Sequence, residues 1–169
     1  MATERSHIVR DFALDDLDAV WNLNQDAVDA VSSVTRSRMR DLIDRSRDVL
    51  VIEVLGAVVG FCNTFDPGAD YDSSNYHWFS ERYKDFVYLD RIVVARSHQN
   101  LGLGAALYTE VERRMRMSGG PYRLACEVNF DPPNEGSLRF HRRIGFIPVG
   151  YQVSKPGLTV EMMSKIISQ

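Results

Sequence analysis

The sequence is poor in the residues that build a disulfide framework, a metal cluster or a membrane span. It has two cysteines, Cys62 and Cys126, and its four histidines show no metal-ligand spacing. The longest apolar run, Val49 to Phe61, contains Glu53 and is too short to cross a bilayer. The charged start, Met1 to His7, lacks the apolar stretch of a signal peptide. We therefore expect a cytoplasmic protein without metal, with both cysteines in its core.

An excess of positive charge is also missing. The chain has 20 basic and 23 acidic residues, a net charge of −3 and an isoelectric point near 5.8. Because this balance creates no field that favours phosphate backbones or anionic membranes, we expect neither as a partner. The 44% hydrophobic and 25% charged residues are typical of a globular protein, and 169 residues suit one domain.

The apolar periodicity predicts an α/β chain. Strands are expected over residues 7–12, 49–54, 57–63, 86–94, 122–128, 147–153 and 159–166. Helices are expected over residues 14–31, 37–47, 103–117 and 135–143. No internal repeat or break in composition divides the chain, so we expect a single domain over residues 1–169.

The segment 66–85 differs from the rest because acids and aromatic rings are concentrated in it. We interpret it as a long loop, which inside a compact domain is typical of a binding loop or lid. Carboxylates and ring faces both attract ammonium groups, so Tyr71, Tyr76 and Trp78 are candidate contacts for a cationic amine substrate. The alternative is an aromatic cluster that only covers the sheet.

A glycine motif follows the strand 86–94. The sequence Gln99-Asn100-Leu101-Gly102-Leu103-Gly104 leads into a predicted helix, whose first amides have no partner within the helix and lie at its positive end. Glycines let an anion approach the backbone, so the amides of 101–105 predict a diphosphate site. A dinucleotide is disfavoured, because Leu107 stands where its fingerprint needs a small residue.

This motif resembles the acyl-CoA-binding loop of the GNAT acetyltransferase superfamily, which reads Arg/Gln-x-x-Gly-x-Gly/Ala. A second segment is similar to the later strand and helix of that family: it contains Leu124 to Asn129 and then Asn134 to Phe146. The two motifs occur in the family's order, and the order of elements agrees from Ile8 to Ile166. The resemblance therefore covers essentially the whole chain.

The resemblance implies an α/β fold with a mixed, mostly antiparallel sheet of about six to seven strands, flanked by helices. Its fourth and fifth strands would splay apart to bind acyl-CoA. It also implies direct transfer of an acetyl group from acetyl-CoA to a small-molecule or peptide amine in a ternary complex, and a possible homodimer. The alternatives are another acyl-CoA donor, or a CoA-binding regulatory module without catalysis.

The resemblance also assigns residues to the donor. The backbone near two residues of the fourth strand would bind pantetheine, the loop amides would bind the diphosphate, and an asparagine would contact CoA. These candidates are Ile92, Val94, Gln99, Asn100, Leu101, Gly102, Leu103, Gly104, Ala105 and Asn134. Asparagine is also a leading helix N-cap residue, so Asn134 has that second possible role.

Three residues are candidates for catalysis. His141 stands where the family usually has a tyrosine that protonates the departing thiolate, and imidazole, with a pKa of about 6.5, can also donate a proton. The alternative is a half-exposed histidine on the helix. Glu127 matches a general base of the family, and Asp90 lies in an otherwise apolar strand, where an acid needs a partner or a purpose. Either could be the base, and Asp90 could instead form a salt bridge.

Overall fold

The computed structural model describes residues 6–169, which contribute to two compact units. The first unit consists of the chain up to Thr64 together with Arg91–Val111, and the second consists of Phe65–Asp90 and Glu112–Gln169. Residues 1–5, which make up most of the charged start of the chain, lie outside the described residues.

Within residues 6–169, seven strands form one mixed sheet. They are β1 His7–Asp11, β2 Asp48–Val54, β3 Ala57–Phe65, β4 Val87–Val94, β5 Arg123–Asp131, β6 Ile147–Lys155 and β7 Leu158–Ile166. Their order in the sheet is β1-β2-β3-β4-β5-β7-β6. β4 and β5 are parallel, whereas the pairs β1–β2, β2–β3, β5–β7 and β6–β7 are antiparallel. The expected α/β fold with a mostly antiparallel sheet is confirmed.

Five α-helices in the described part of the chain accompany the sheet, and side-chain caps fix the start of several of them. The helices are α1 Leu17–Asp26, α2 Arg36–Arg45, α3 Ser74–Ser80, α4 Leu103–Met117 and α5 Glu135–Arg143. The Thr35 hydroxyl accepts a hydrogen bond from the Arg38 N–H at 3.1 Å at the start of α2. Such caps satisfy amides that have no acceptor within the helix.

The first predicted helix is shorter than its apolar periodicity indicated. The prediction ran over 14–31, but a 3₁₀ turn covers Leu14–Asp16 and α1 ends at Asp26. Beyond α1 the chain turns back: the Asn24 amide donates to the Ser32 carbonyl at 3.1 Å, and Gln25 accepts from the Val34 N–H at 3.2 Å. These side-chain hydrogen bonds replace a continued helix.

The segment 66–85 is not an extended loop, because it contains α3. The Ser73 hydroxyl accepts from the Tyr76 N–H at 3.2 Å and caps this helix. Tyr76 and Phe79 are fully buried on it. The sequence prediction of a loop is therefore wrong for 74–80, since burial of two rings one turn apart stabilises a helix too short to show a period.

Each unit has its own apolar core. In the first unit, buried side chains of α1, α2 and the sheet form one cluster: Leu17, Val20, Met39, Val51, Phe61 and Val93. In the second unit, rings from β3, α3 and β4 pack together, and Phe65 stacks on Tyr71 with ring centroids 4.4 Å apart. Aromatic pairs of this kind add to the free energy gained by burying apolar area.

Candidate functional site

The first unit carries the glycine turn that follows β4. The Ala95 N–H donates to the Val59 carbonyl at 2.8 Å, which anchors the chain where it leaves the sheet. The Gln99 carboxamide nitrogen donates to the Val94 carbonyl at 3.3 Å and ties the turn back to β4. The Val94 carbonyl, one candidate group for pantetheine, therefore already accepts one hydrogen bond within the chain.

The turn contains two residues in the left-handed region. Asn100 has a φ of 61° and Gly102 a φ of 78°, values that asparagine tolerates and glycine adopts readily. An ideal Cβ built on Gly102 would meet no atom within 4 Å, so the space around this position is open. α4 begins at the next residue, Leu103, and the Ala106 N–H donates to the Gly102 carbonyl at 3.0 Å.

The start of α4 has the chemistry of an anion site. The amides of Leu103, Gly104 and Ala105 come before Ala106, whose N–H donates to the Gly102 carbonyl as the first hydrogen bond of the helix, and the helix dipole is positive at this end. Leu103 and Leu107 are buried and hold the first turns of the helix, whereas Leu101 and Gly102 are exposed. An accessible, firmly held turn of this kind fits a diphosphate.

Asn134 lies at the start of α5, in the second unit. Its Oδ1 accepts a hydrogen bond from the Ser137 N–H at 3.1 Å, so it is the N-cap of the helix. The N-cap role that the sequence allowed is therefore present. The contact with CoA that the resemblance implied stays a prediction.

β4 and β5 pair in parallel within the second unit. Val87 pairs with Leu124 and Tyr88 with Ala125. Both strands continue beyond these pairs. The two candidate bases, Asp90 on β4 and Glu127 on β5, each follow two residues after the Tyr88–Ala125 pair.

Each candidate base is held by a tyrosine hydroxyl. The Tyr71 hydroxyl donates to Asp90 Oδ1 at 2.6 Å, and the Tyr88 hydroxyl lies 2.8 Å from both carboxylate oxygens of Glu127. Arg91, the next residue on β4, belongs to the first unit and donates there to the Asn24 side chain at 2.8 Å. The two acids therefore belong to one acid–tyrosine cluster, which consists of Tyr71, Tyr88, Asp90 and Glu127.

Tyr88 is a hydrogen-bond donor in this cluster. Burial raises its pKa well above 10, and the charges of Glu127 and Asp90 raise it further. A phenol with such a pKa keeps its proton at neutral pH. Its O–H can therefore donate to Glu127, whose carboxyl oxygens accept.

Asn75 is a further member of the site that sequence reasoning missed. It lies in the first turn of α3 and is 8% exposed. Its Nδ2 donates to Glu127 Oε1 at 3.1 Å and to the Ser154 hydroxyl at 3.2 Å, and its Oδ1 accepts from Gln152 at 2.8 Å. The only local signal was a polar residue between Ser73 and the buried Tyr76, which does not reveal a partner 52 residues away.

The three candidate substrate rings are all buried. Tyr71, Tyr76 and Trp78 are 8%, 1% and 9% exposed, and they pack within the second unit. The Tyr76 hydroxyl donates to the Asp66 carbonyl at 2.6 Å, while Arg82 stacks 3.7 Å from the Trp78 ring centroid. These contacts show the covering aromatic cluster that the sequence allowed, and substrate contact by the rings stays a prediction.

His141 is buried rather than half-exposed. It is 3% exposed, its Nδ1 lies 2.8 Å from the Ser137 carbonyl, and its ring meets Phe140 and Phe146 edge-to-face. A carbonyl can only accept, so the neutral ring carries its proton on Nδ1. Burial lowers the pKa of His141, because it disfavours the charged imidazolium.

Other kinds of site have less support in the described part of the chain. Within residues 6–169, no group of three or more His, Cys, Asp and Glu side chains could hold a metal ion. None of the helices described has the length and apolarity that crossing a bilayer requires. Cys62 and Cys126 are both buried, as expected for core residues.

Comparison with known families gives one match that spans most of the chain. The family described as the acetyltransferase (GNAT) family matches residues 14–146. A comparison with curated protein sequences found no match.

Solved structures share the fold over nearly the whole chain. Ard1 from Thermoplasma volcanium is 19% identical with a TM-score of 0.78, covering 96% of this chain and 99% of its own. A ribosomal-protein-alanine N-acetyltransferase from Brucella melitensis is 26% identical with a TM-score of 0.74, covering 94% and 99%. YncA, a putative acetyltransferase from Salmonella typhimurium solved with its cofactor acetyl-CoA, is 21% identical with a TM-score of 0.72, covering 97% and 95%.

Proposed function

Because the chain belongs to the GNAT family of acetyltransferases, we propose that it transfers an acetyl group from acetyl-CoA directly to an amine acceptor. The observation that carries the proposal is the open, left-handed turn at Gly102 immediately before α4. A similar structure with acetyl-CoA supports the donor, and one named as an N-acetyltransferase supports the amine acceptor. The proposed catalytic domain spans 1–169, with 66–85 as its candidate substrate segment.

The glycine turn would hold the donor's diphosphate on the amides of residues 101–105. Gln99 and Asn100 shape this turn, one through its hydrogen bond to Val94 and the other through its positive φ. Backbone groups of Ile92 and Val94 would bind the pantetheine amides. Because Asn134 uses its Oδ1 as a helix cap, a contact with CoA would use its Nδ2.

The reaction forms a bond between the amine nitrogen and the acetyl carbon and breaks the thioester C–S bond. A lysine-like ammonium must first lose a proton, which costs about 4–5 kcal/mol at pH 7. We propose Glu127 as the group that takes it, because Tyr88 and Asn75 hold its carboxylate from two elements. Asp90, held by Tyr71, is the second candidate.

The departing thiolate needs a proton in return. A thiol has a pKa of about 8.5, so either water or a side chain can supply that proton near neutral pH. His141 is the candidate side chain, although its lowered pKa makes the imidazolium scarcer at neutral pH than its ordinary value implies. Its neutral form binds Ser137 through Nδ1, so donation to the thiolate would come from a proton on Nε2.

The acceptor is proposed to be a cationic small-molecule or peptide amine. Negative charge at Asp90 and Glu127 favours an ammonium group, and Tyr71 is the ring that contacts one of these acids. Tyr76 and Trp78 would then support Tyr71 from within the cluster. Since one similar structure is named for acetylating an alanine of a ribosomal protein, a peptide with N-terminal alanine is the first acceptor to test.

The proposal is tested by incubating the protein with acetyl-CoA and a panel of amines. The panel contains an alanine-terminated peptide, a lysine derivative and a polyamine, and mass spectrometry measures the acetylated product beside thiol release. We expect product from at least one amine and a much lower, still measurable, rate of product formation in Glu127→Gln. Tight CoA binding without turnover would favour the CoA-binding regulatory module without catalysis, and turnover only with longer acyl-CoAs would favour another donor. The absence of heat on titration with CoA would refute the proposal.

The cytoplasmic location and the homodimer stay predictions.

A further inference from the structure

We propose that Asn75 is a positioning residue, whose carboxamide orients the Glu127 carboxylate for proton transfer from the acceptor amine. This inference rests on the proposed function, because it gives Glu127 a proton to accept. It assigns a specific role to α3, whose sequence pointed to substrate contact by aromatic rings or to an aromatic cluster that covers the sheet.

The hydrogen-bond network determines which way the Asn75 amide faces. Gln152 donates its Nε2–H to Asn75 Oδ1 at 2.8 Å, so the carbonyl end of the amide faces β6. The NH₂ end then faces two acceptors, Glu127 Oε1 at 3.1 Å and the Ser154 hydroxyl at 3.2 Å. An amide NH₂ can donate two hydrogen bonds, so both of its N–H groups have acceptors.

Glu127 consequently accepts hydrogen bonds from two donors that belong to different elements. Tyr88 reaches it from β4 and Asn75 reaches it from α3. Oε1 accepts from both donors, whereas Tyr88 alone of the two reaches Oε2. A carboxylate held by two buried donors has little rotational freedom, which is the condition for rapid proton transfer along a fixed direction.

The burial of Asn75 indicates that this residue does more than pack in the core. A polar side chain that is 8% exposed is costly to bury unless its groups are paired. Its partners Glu127, Ser154 and Gln152 are all polar side chains of other elements. The helix that carries it is fixed by the Ser73 cap and by the buried Tyr76 ring. The helix and its cap thus hold Asn75 rigidly against Glu127.

The charge around Glu127 determines the expected response to pH. Tyr88 faces it as a neutral phenol, and the nearby charge of Asp90, which Tyr71 contacts, also acts on Tyr88. Changing Asn75 to Asp replaces a donor by a carboxylate beside Glu127 with almost no change in shape. Like charges disfavour ionisation, so the base form of Glu127 would then require a higher pH.

The experiment compares Asn75→Ala and Asn75→Asp with wild type in acetyl transfer from acetyl-CoA to the best amine of the panel. We expect kcat to fall about ten- to hundredfold, since small misplacements of a reacting group have effects of that order. The KM for acetyl-CoA should change less than about twofold, because the donor's diphosphate is proposed to bind elsewhere in the chain. In Asn75→Asp the acidic limb of the pH–rate profile should also move up by about one unit.

Two controls separate positioning from loss of structure. Asn24→Asp makes the same atom change in a fully buried asparagine that hydrogen-bonds Arg91, and it should leave kcat and the acidic limb unchanged. Combining Asn75→Ala with Glu127→Gln should lower kcat no further than Glu127→Gln alone, because there is no base left to orient. Thermal unfolding of every variant checks that each is folded, and Asn75→Ala avoids the buried charge of Asn75→Asp.

The outcomes distinguish the inference from the function on which it rests. An active wild type whose Asn75 variants keep kcat and the acidic limb would overturn the inference alone. A loss of equal size in the Glu127→Gln background, or in Asn24→Asp, would also overturn it. A wild type that acetylates no amine would overturn the proposed function and, with it, the role of Asn75.

Discussion

Replacing Gly102 by alanine tests whether the turn before α4 binds the donor. Gly102 has a φ of 78°, and an ideal Cβ at this position meets nothing within 4 Å. The substitution therefore causes no clash inside the protein, and the remaining cost is that of an L-residue in the left-handed region, about 1–2 kcal/mol. That is a small part of the roughly 5–15 kcal/mol that stabilises a domain, so the variant should fold.

The chain supplies a closely matched control. Gly157, in the turn between β6 and β7, also has a φ of 78° and open space where a Cβ would lie. Gly157→Ala should therefore lose the same stability as Gly102→Ala, because the backbone geometry and the surroundings of the added methyl group agree. Only Gly102 immediately precedes α4, so only Gly102→Ala changes the proposed diphosphate site.

We expect the two variants to differ in CoA affinity. If the methyl group at 102 keeps the diphosphate from one backbone N–H, the lost hydrogen bond to a charged group is worth about 1.5–3 kcal/mol. This corresponds to a Kd about ten- to hundredfold higher for Gly102→Ala, with no change for Gly157→Ala. Titration calorimetry with CoA measures the affinity, and urea unfolding measures the stability. Unchanged affinity in Gly102→Ala, or equal weakening in both variants, would refute the proposed diphosphate site.

Three further predictions concern the second unit and the start of the chain. His141→Phe keeps the ring packing but removes the proton donor. If His141 protonates the thiolate, turnover should fall by about 10²–10⁴ while the affinity for CoA stays unchanged. A variant that loses stability but keeps its turnover would argue against that role. Gly150→Ala should lose about 1–3 kcal/mol in urea unfolding, because its Cβ would lie 2.5 Å from the Trp78 ring; an unchanged midpoint would contradict this contact. Hydrogen bonds from Arg10 lower the pKa of Asp16, so the pair stabilises the fold while Asp16 is ionised. The loss of unfolding free energy in Arg10→Met should therefore have its full size at pH 7 and become smaller below about pH 4. A loss that does not depend on pH would contradict this contribution of the pair.

Local sequence signals were sufficient where one residue type had to satisfy one backbone requirement. The bounds of α4, Leu103–Met117, agree with the periodicity, and Gly102 stands at the left-handed position before it. Asn134 caps α5 as an N-cap preference predicts. These features depend only on residues that are close in the sequence, so the sequence pattern alone predicts them.

The acid–tyrosine cluster shows what local sequence signals cannot predict. The sequence singled out Asp90 as an acid in an apolar strand and Glu127 through its match to the family's general base, but it could not supply their partners. Glu127 meets Tyr88 across 39 positions and Asn75 across 52. Contacts at such separations follow from the order of strands and from the packing of α3, neither of which any local pattern encodes.

The chain itself determined the family, the succession of strands and helices along the sequence apart from α3, and the glycine turn before α4, because each follows from residue types at fixed short spacings. Tertiary packing alone decided that α3 forms within 66–85, that His141 is buried, and that Asn75 reaches Glu127. The reason is that burial and hydrogen bonding depend on which distant residues come together in space. The free energies of those contacts outweigh the weak local preferences of the same residues.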